Sequence, residues 1–426
     1  MSLTAAEQRV IDAIDTEALI ALIDTLVAIP SLDGSPEEVA VQRAAATWMR
    51  QAGFATDEWE IDMNALARHP SYSAEVDRPL AIGVAGTIGE ARGGKNLIFN
   101  GHVDVVPPGD LTLWRYDPWR ATVEDGRVYG RGALDMKGGV ACALIAMEAI
   151  ARSGLRLRGT VTMQTVIGEE DGGCGTLAAV VRGYRADAAI IPEPTELKIA
   201  PAQAGVMNFR LTIPGLAAHG CVREEGVSAI EKFYIVYQAL MRLERRRNDR
   251  SADPLYARYS LPYALCIGNV HAGTWASSVA ESLTAEGRYG YPFGEDPLAA
   301  RAEFEAAVAE AAAADEWLND HAPVVEWWGG QFAAARTPEG HPIIETVAAA
   351  FGSITGQQPP LEGMTYGADM RLLANDGGIP TLMFGPGDVR VAHKADEYVP
   401  LADLEFCART LALTALRFCG YDDEAA

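Results

Sequence analysis

No C-x-x-C pair occurs among the six cysteines, which stand singly at Cys142, Cys174, Cys221, Cys266, Cys407 and Cys419. Isolated thiols in a long chain read as reduced core or loop residues and argue against a disulfide scaffold. Basic residues are also scarce: 35 Lys and Arg stand against 58 Asp and Glu, a formal charge of −23. That balance argues against nucleic-acid binding, which needs basic surface to displace counterions from the phosphate backbone. The one basic cluster, Arg242 to Arg250, is interrupted by Glu244 and Asp249 and reads as a solvated helix end. No apolar run reaches the ~20 residues of a membrane span, and the run from Val140 to Ile150 contains Glu148. The opening segment MSLTAAEQRVIDAID lacks the basic-then-apolar order of a signal peptide, so a cytoplasmic location is expected. There is no G-x-S-x-G elbow, which removes a serine-hydrolase reading.

What remains is an ordinary soluble composition, 49% apolar and 22% charged, over 426 residues. At ~100–200 residues per domain, two or three domains are expected. The first ~55 residues read as two amphipathic helices, joined through IPSLDGSPEEV, by their three- and four-residue apolar spacing. Asn96-Leu-Ile-Phe-Asn-Gly is a short apolar strand running into His102 and Asp104, and a loop dense in turn residues follows. A helix apolar nearly all round begins near Asp135. The strand Thr160 to Ile167 stops at Glu169-Glu170, and the strand Asp187 to Ile191 stops at Glu193. This alternation predicts an α/β fold, a mostly parallel sheet flanked by helices. From about residue 204 to 333 the pattern changes to two-faced strands with two helices, an α+β insert. The α/β pattern resumes over 334–426, with a Gly-rich turn through Tyr366-Gly367-Ala368-Asp369 and a loop carrying His393.

Acids and histidines recur where strands end, which is where open α/β sheets bind ligands. His102 and Asp104 are two apart, so on a strand they face one way; read alone, they are a polar loop end. Asp135 could be a helix N-cap. Glu169, Glu170 and Asp171 form a run of acids that repel one another unless a cation or solvent compensates. Glu193 sits between two prolines, which fix its backbone. Together with His393, these residues form a donor set of imidazoles and carboxylates suited to Zn, Mn or Co. A metal-activated water needs a nearby base free of ligand duty, and one of the paired glutamates is placed for it.

GHVDVVP, GRGALDMKGG, GEEDGG, IPEPT and GPGDVRVAHKADEYV, in this order and spacing, resemble the M20 metallopeptidase/aminoacylase family. The family includes acetylornithine deacetylase, succinyl-diaminopimelate desuccinylase, carboxypeptidase G2 and aminoacylase-1. The resemblance implies a zinc-peptidase-like catalytic domain (1–203 and 334–426) and an inserted lid and dimerisation domain (204–333). It implies one or two divalent metals: His102 and Glu193 on one, Glu170 and His393 on the other, and Asp135 bridging them. Asp104 would orient and polarise His102, Glu169 would be the general base, and His219 would reach a neighbouring subunit's site to stabilise the oxyanion. Many relatives carry Asn-Val-Val-Pro-Asp before a substrate-binding arginine; this chain has Ser277-Ser278-Val279-Ala280-Glu281 and then Arg288. Arg288 is the expected grip for an anionic substrate group. Trp275 and Tyr291, which flank that segment, fit either a lid core or the wall of an aromatic pocket.

The expected activity is therefore metal-dependent hydrolysis of a C–N bond, in an N-acyl amino acid or similar small carboxylate, by a homodimer. Two rivals stand beside it. One is a hydrolytic deformylase or deaminase of an aromatic amine or amide, like the relatives that deformylate a pyrimidine or remove an amine from nitroanthranilate. The other is a metal-dependent binding protein with dead chemistry.

Overall fold

A computed structural model describes residues 2–423. The chain forms two compact units. One comprises the chain up to Ala202, Arg336–Glu362 and the chain from Ala368 onward; the other comprises Gln203–Ala335 with Gly363–Gly367. The second segment of the latter unit was not anticipated. Its glycines explain it, since a Cβ on Gly363 would lie 2.4 Å from the Tyr256 ring and one on Gly367 2.4 Å from Phe332.

The first unit is built on a nine-stranded sheet. Its order begins Ala55–Glu60, Ile82–Gly89, Thr160–Val166, Leu97–His102, Ala188–Ile191, Thr381–Met383, Ile199–Gln203. The four central strands, Thr160–Val166 through Thr381–Met383, are parallel, as expected of an α/β fold. Antiparallel pairings flank them on both sides. Helix Lys137–Arg152 packs against both the sheet and helix Leu401–Cys419, and all but three of its residues are buried. Its apolar all-round composition follows from that position.

The first ~55 residues hold three helices rather than two. Thr4 and Glu7 form a capping box for Ala5–Asp12. Asp15 then accepts from the backbone N–H groups of Glu17 and Ala18, opening Thr16–Val27 as a separate helix. A cap inside an apolar-periodic stretch divides it, because its side chain satisfies donors that a continuous helix would bond internally. Pro36 occupies the first turn of the third helix, Pro36–Gln51. Among the described residues no helix is long and apolar enough to cross a membrane.

The second unit is a four-stranded antiparallel sheet ordered Leu265–Ala272, Ser282–Tyr291, Gly205–Pro214, Val324–Phe332. Phe209, Leu211 and Ile213 alternate inward to a core shared with helices Ala229–Asp249 and Pro297–Ala313. Phe304 is the centre of that core, 4.6 Å from the Phe209 ring and 5.3 Å from those of Tyr289 and Trp327. Tyr291 belongs to the same core, whereas Trp275 is 74% exposed. The basic cluster at Arg242–Arg250 is not wholly solvated. Arg247 is buried, pairs with Glu295 and Glu303, and lies over the Tyr289 ring. Its guanidinium faces inward because acids on other elements match it there.

Phe304→Ala should lower the stability of the second unit by ~3–5 kcal/mol, since it removes a fully enclosed ring. Urea unfolding monitored through the tryptophans would measure this, and a shift under 1 kcal/mol would contradict the packing described (roughly the low end of core truncations).

Candidate functional site

Parallel pairing explains why the donors meet. Thr160–Val166, Leu97–His102 and Ala188–Ile191 are neighbours running in one direction, so their carboxyl ends lie along a single edge. His102 ends the middle strand, and Glu169-Glu170 and Glu193 follow the other two. Asp135 reaches the same place from the turn before helix Lys137–Arg152. It does not cap that helix: the N-cap is Met136, with no side-chain cap bond.

The side chains converge. His102 Nε2 lies 3.2 Å from Asp135 Oδ1 and 3.9 Å from Glu193 Oε1. His393 Nε2 lies 3.1 Å from Glu170 Oε1 and 3.5 Å from Asp135 Oδ2. Asp135 thus offers one oxygen to each histidine. Two groups have ligand atoms all within 4.8 Å of one another: His102, Asp135 and Glu170, and His102, Glu169 and Glu193. Imidazole nitrogens among carboxylate oxygens at these separations fit a divalent transition metal.

His102 Nδ1 is 3.0 Å from the backbone oxygen of Asp104, while the Asp104 carboxylate is 3.8 Å away. The carbonyl is therefore the atom that fixes the ring, a common partner for a metal-ligating histidine. Asp104 Oδ2 instead accepts from the backbone N–H of Glu170 at 3.1 Å, fixing the neighbouring loop.

Burial makes the charges costly. Desolvation pushes the pKa of Glu169 and Glu193 well above the usual carboxylate range, overriding the pull of His102. Glu170 is raised for the same reason, with Asp135 adding to it. Burial alone would discourage a proton on His102, but Asp104, Asp135 and Glu193 raise its pKa well above that of a free imidazole. Contacts with Asp135 and Glu170 push His393 up to about 11.

The third acid of the run turns elsewhere. Asp171 Oδ2 accepts from Arg78 Nη1 at 2.8 Å, and the same buried guanidinium also meets Glu38 and Asp33. Gly173 is required by the close approach of Asp369: a Cβ there, at φ +79°, would lie 2.3 Å from its Oδ1. Asp369, Arg371 and Glu397 were not singled out from sequence. Burial pushes Asp369 up to about 6. Arg371 donates to the Gly172 carbonyl at 2.7 Å. These residues stand in stretches with no apolar periodicity, and the Gly-rich turn before Asp369 was the only sign of them.

His219 and Arg288 belong to the other compact unit. His219 is exposed, and its Nδ1 accepts from the Cys221 backbone N–H at 3.2 Å, which puts the proton of the neutral ring on Nε2. Arg288 Nη2 donates to the Thr365 carbonyl at 2.9 Å, while among the described residues its Nε has no partner. Burial lowers the pKa of Arg288.

Residues 98–417 match peptidase family M20/M25/M40. The chain belongs to this family. It is 30% identical over 424 residues to the N-formyl-4-amino-5-aminomethyl-2-methylpyrimidine deformylase of Halalkalibacterium halodurans, covering 95% of each chain. It is also 30% identical over 334 residues to the succinyl-diaminopimelate desuccinylase of Gluconacetobacter diazotrophicus, covering 74% of this chain and 78% of that one. Among solved structures, the fold is similar to the dipeptidase Dug1p of Saccharomyces cerevisiae, with TM-score 0.77 at 13% identity over 97% and 98% of the two chains. This M20 chain is accordingly a metal-dependent hydrolase of amide C–N bonds.

Metal uptake by the M20 site should release protons. The neighbouring carboxylates raise the pKa of His102 and His393, which favours protons on both rings. A bound ion must displace those protons, so affinity rises with pH, by about tenfold per unit for each proton released. Zn²⁺ titrations at several pH values would show it, and an affinity independent of pH across the neutral range would contradict the arrangement.

Proposed function

We propose that the chain hydrolyses the amide of an N-acyl amino acid or similar small carboxylate, using one or two divalent transition metals. The shared position of Asp135 between His102 and His393 carries this reading, with Glu170 and Glu193 completing the donor set. The metal would polarise the scissile carbonyl and make water a better nucleophile at neutral pH. Glu169 takes the proton of the attacking water and delivers it to the leaving nitrogen. Burial raises its pKa, which suits a carboxyl that must hold a transferred proton before returning it. Asp104 holds His102 and the Glu170 loop in place. His219, with its proton on Nε2, stabilises the oxyanion from a neighbouring subunit, and Arg288 receives the substrate carboxylate.

A homodimer through the second unit belongs to this proposal. Ile230, Tyr234 and Tyr237 are all exposed at helical spacing on Ala229–Asp249, in keeping with a face that another copy covers. A cytoplasmic location, expected from the composition and the single cysteines, is part of the same reading.

A second substrate class is favoured by one observation. The deformylase relative is matched over 95% of both chains, and the lid stretch Ser277 to Glu281 departs from the Asn-Val-Val-Pro-Asp of many relatives. Deformylation of an aminopyrimidine amide therefore stands as the alternative. Parallel assays of N-acyl amino acids and N-formyl aminopyrimidines with Zn, Mn and Co would separate the two. Inactivity on both panels would favour the dead-chemistry reading.

Glu169→Gln should retain metal and lose activity by ~10²–10⁴-fold or more, the usual contribution of a general base. Loss of metal instead would make Glu169 a ligand, a role its closeness to His102 and Glu193 also allows. Arg288→Met should raise KM for carboxylate substrates by about ten- to a hundredfold, corresponding to the ~1.5–3 kcal/mol of a charged hydrogen bond. An unchanged KM would remove Arg288 from the substrate site.

A further inference from the structure

Glu397 is fully enclosed, yet it takes no part in the chemistry assigned above. Its Oε1 accepts from three backbone donors of one turn: Gly132 at 2.9 Å, Leu134 at 3.1 Å and Asp135 at 3.2 Å. Its Oε2 accepts from Arg131, whose guanidinium is buried beside it. Its own backbone oxygen accepts from Gly130 at 3.0 Å. One residue thus ties down the whole turn from Gly130 to Asp135 by side chain and main chain together. The turn and Glu397 are 262 residues apart in sequence, and Glu397 follows His393 by one short loop.

We propose that Glu397 is a positioning residue of the metal centre, holding the Asp135 turn and the His393 loop at the spacing that lets Asp135 lie between the two histidines. The physical case is one of directionality. A buried Arg–Glu pair by itself adds little to stability, because desolvation offsets the attraction. A carboxylate that collects several N–H groups from one turn fixes that turn's orientation, as partners behind metal ligands generally do. The Asp135 backbone N–H is one of those donors, so release of the carboxylate frees the residue that faces both histidines. The substrate plays no part in this contact.

The inference rests on the metal reading of the site, and the experiment separates the two. Wild type, Glu397→Gln and Glu7→Gln are stripped of metal and titrated with Zn²⁺ and with Mn²⁺ against a chromophoric chelator, and their melting temperatures are measured without metal. Glu7, paired with Arg417 at 2.7 Å, is the control for loss of a buried ion pair outside the site. Glu397→Gln should bind metal about 10–100-fold more weakly, with KM for any hydrolysed amide nearly unchanged and kcat reduced. Glu7→Gln should lose melting temperature without losing metal affinity. Should Glu397→Gln fail to fold, the same titration on Arg131→Lys decides, with weakened metal binding again expected. Metal affinity equal to wild type in the folded variant would overturn the proposal. So would an equal loss of affinity in Glu7→Gln, which would make the effect one of general stability. A wild-type protein that binds neither ion would instead overturn the metal reading itself.

Discussion

The structure turns on a concentration of buried negative charge. Asp135, Glu169, Glu170 and Glu193 gather around His102 and His393, and each of these acids is enclosed or nearly so. Two like charges 4 Å apart repel by about 4 kcal/mol at the effective dielectric of a protein surface, and by more in an interior. The pKa shifts follow from this crowding: burial raises Glu169, Glu170 and Glu193, the carboxylates raise both histidines, and those histidines hold Asp135 below the usual carboxylate range. Three of the buried cations of the same unit are engaged elsewhere. Arg78 is committed to Glu38, Asp33 and Asp171, Arg131 to Glu397, and Lys137 to the carbonyls of Leu26 and Ile29. A divalent cation is therefore the compensation the donor set lacks.

The parallel centre of the sheet makes that concentration attainable. Strands running in one direction end together, and a loop at each end can contribute one side chain without distorting the strand behind it. The supporting residues act on those loops. Arg78 draws Asp171 away from the donors, Asp104 takes the Glu170 backbone N–H, and Arg371 takes the Gly172 carbonyl. Each fixes a residue in the crowded acidic run or the glycine that follows it, so that Glu169 and Glu170 face the histidines while Asp171 does not.

The residues that converge were legible in sequence because each is punctuated locally. His102 closes an apolar run, Glu193 lies between prolines, and Glu169-Glu170 interrupt an apolar strand in a way that surface acids seldom do. The residues that hold them were not legible. Glu397 reaches its turn across 262 positions, and Arg78 reaches Asp171 across 93. Neither leaves a periodicity or a spacing, because the pairing exists only once the chain has folded. Asp135 shows the same limit from the other side: it has the sequence context of a helix cap, yet its carboxylate faces two histidines. The division of the N-terminal stretch into three helices failed for a different reason, a single Asp15 cap within otherwise continuous apolar spacing. The helix Leu401–Cys419 and the burial of Arg247 likewise depend on distant partners.

Reaction class and substrate class are held by different kinds of residue, and this decides which can be reasoned out. Hydrolysis of a C–N bond depends on a donor set whose geometry tolerates little change, so it is common to relatives with different substrates. Choice of substrate depends on a few contacts worth one to three kcal/mol each, roughly, unless a buried polar group would be left unpaired. Arg288 is the group proposed above for such a contact. It is half-buried, and among the described residues its guanidinium bonds only the neutral Thr365 carbonyl, with no partner for Nε. A cation held in that state gains most from an anion that arrives with the substrate, and it penalises a neutral analogue by the cost of its own desolvation. That asymmetry weighs toward a carboxylate-bearing substrate, even though the matched deformylase is named for a pyrimidine.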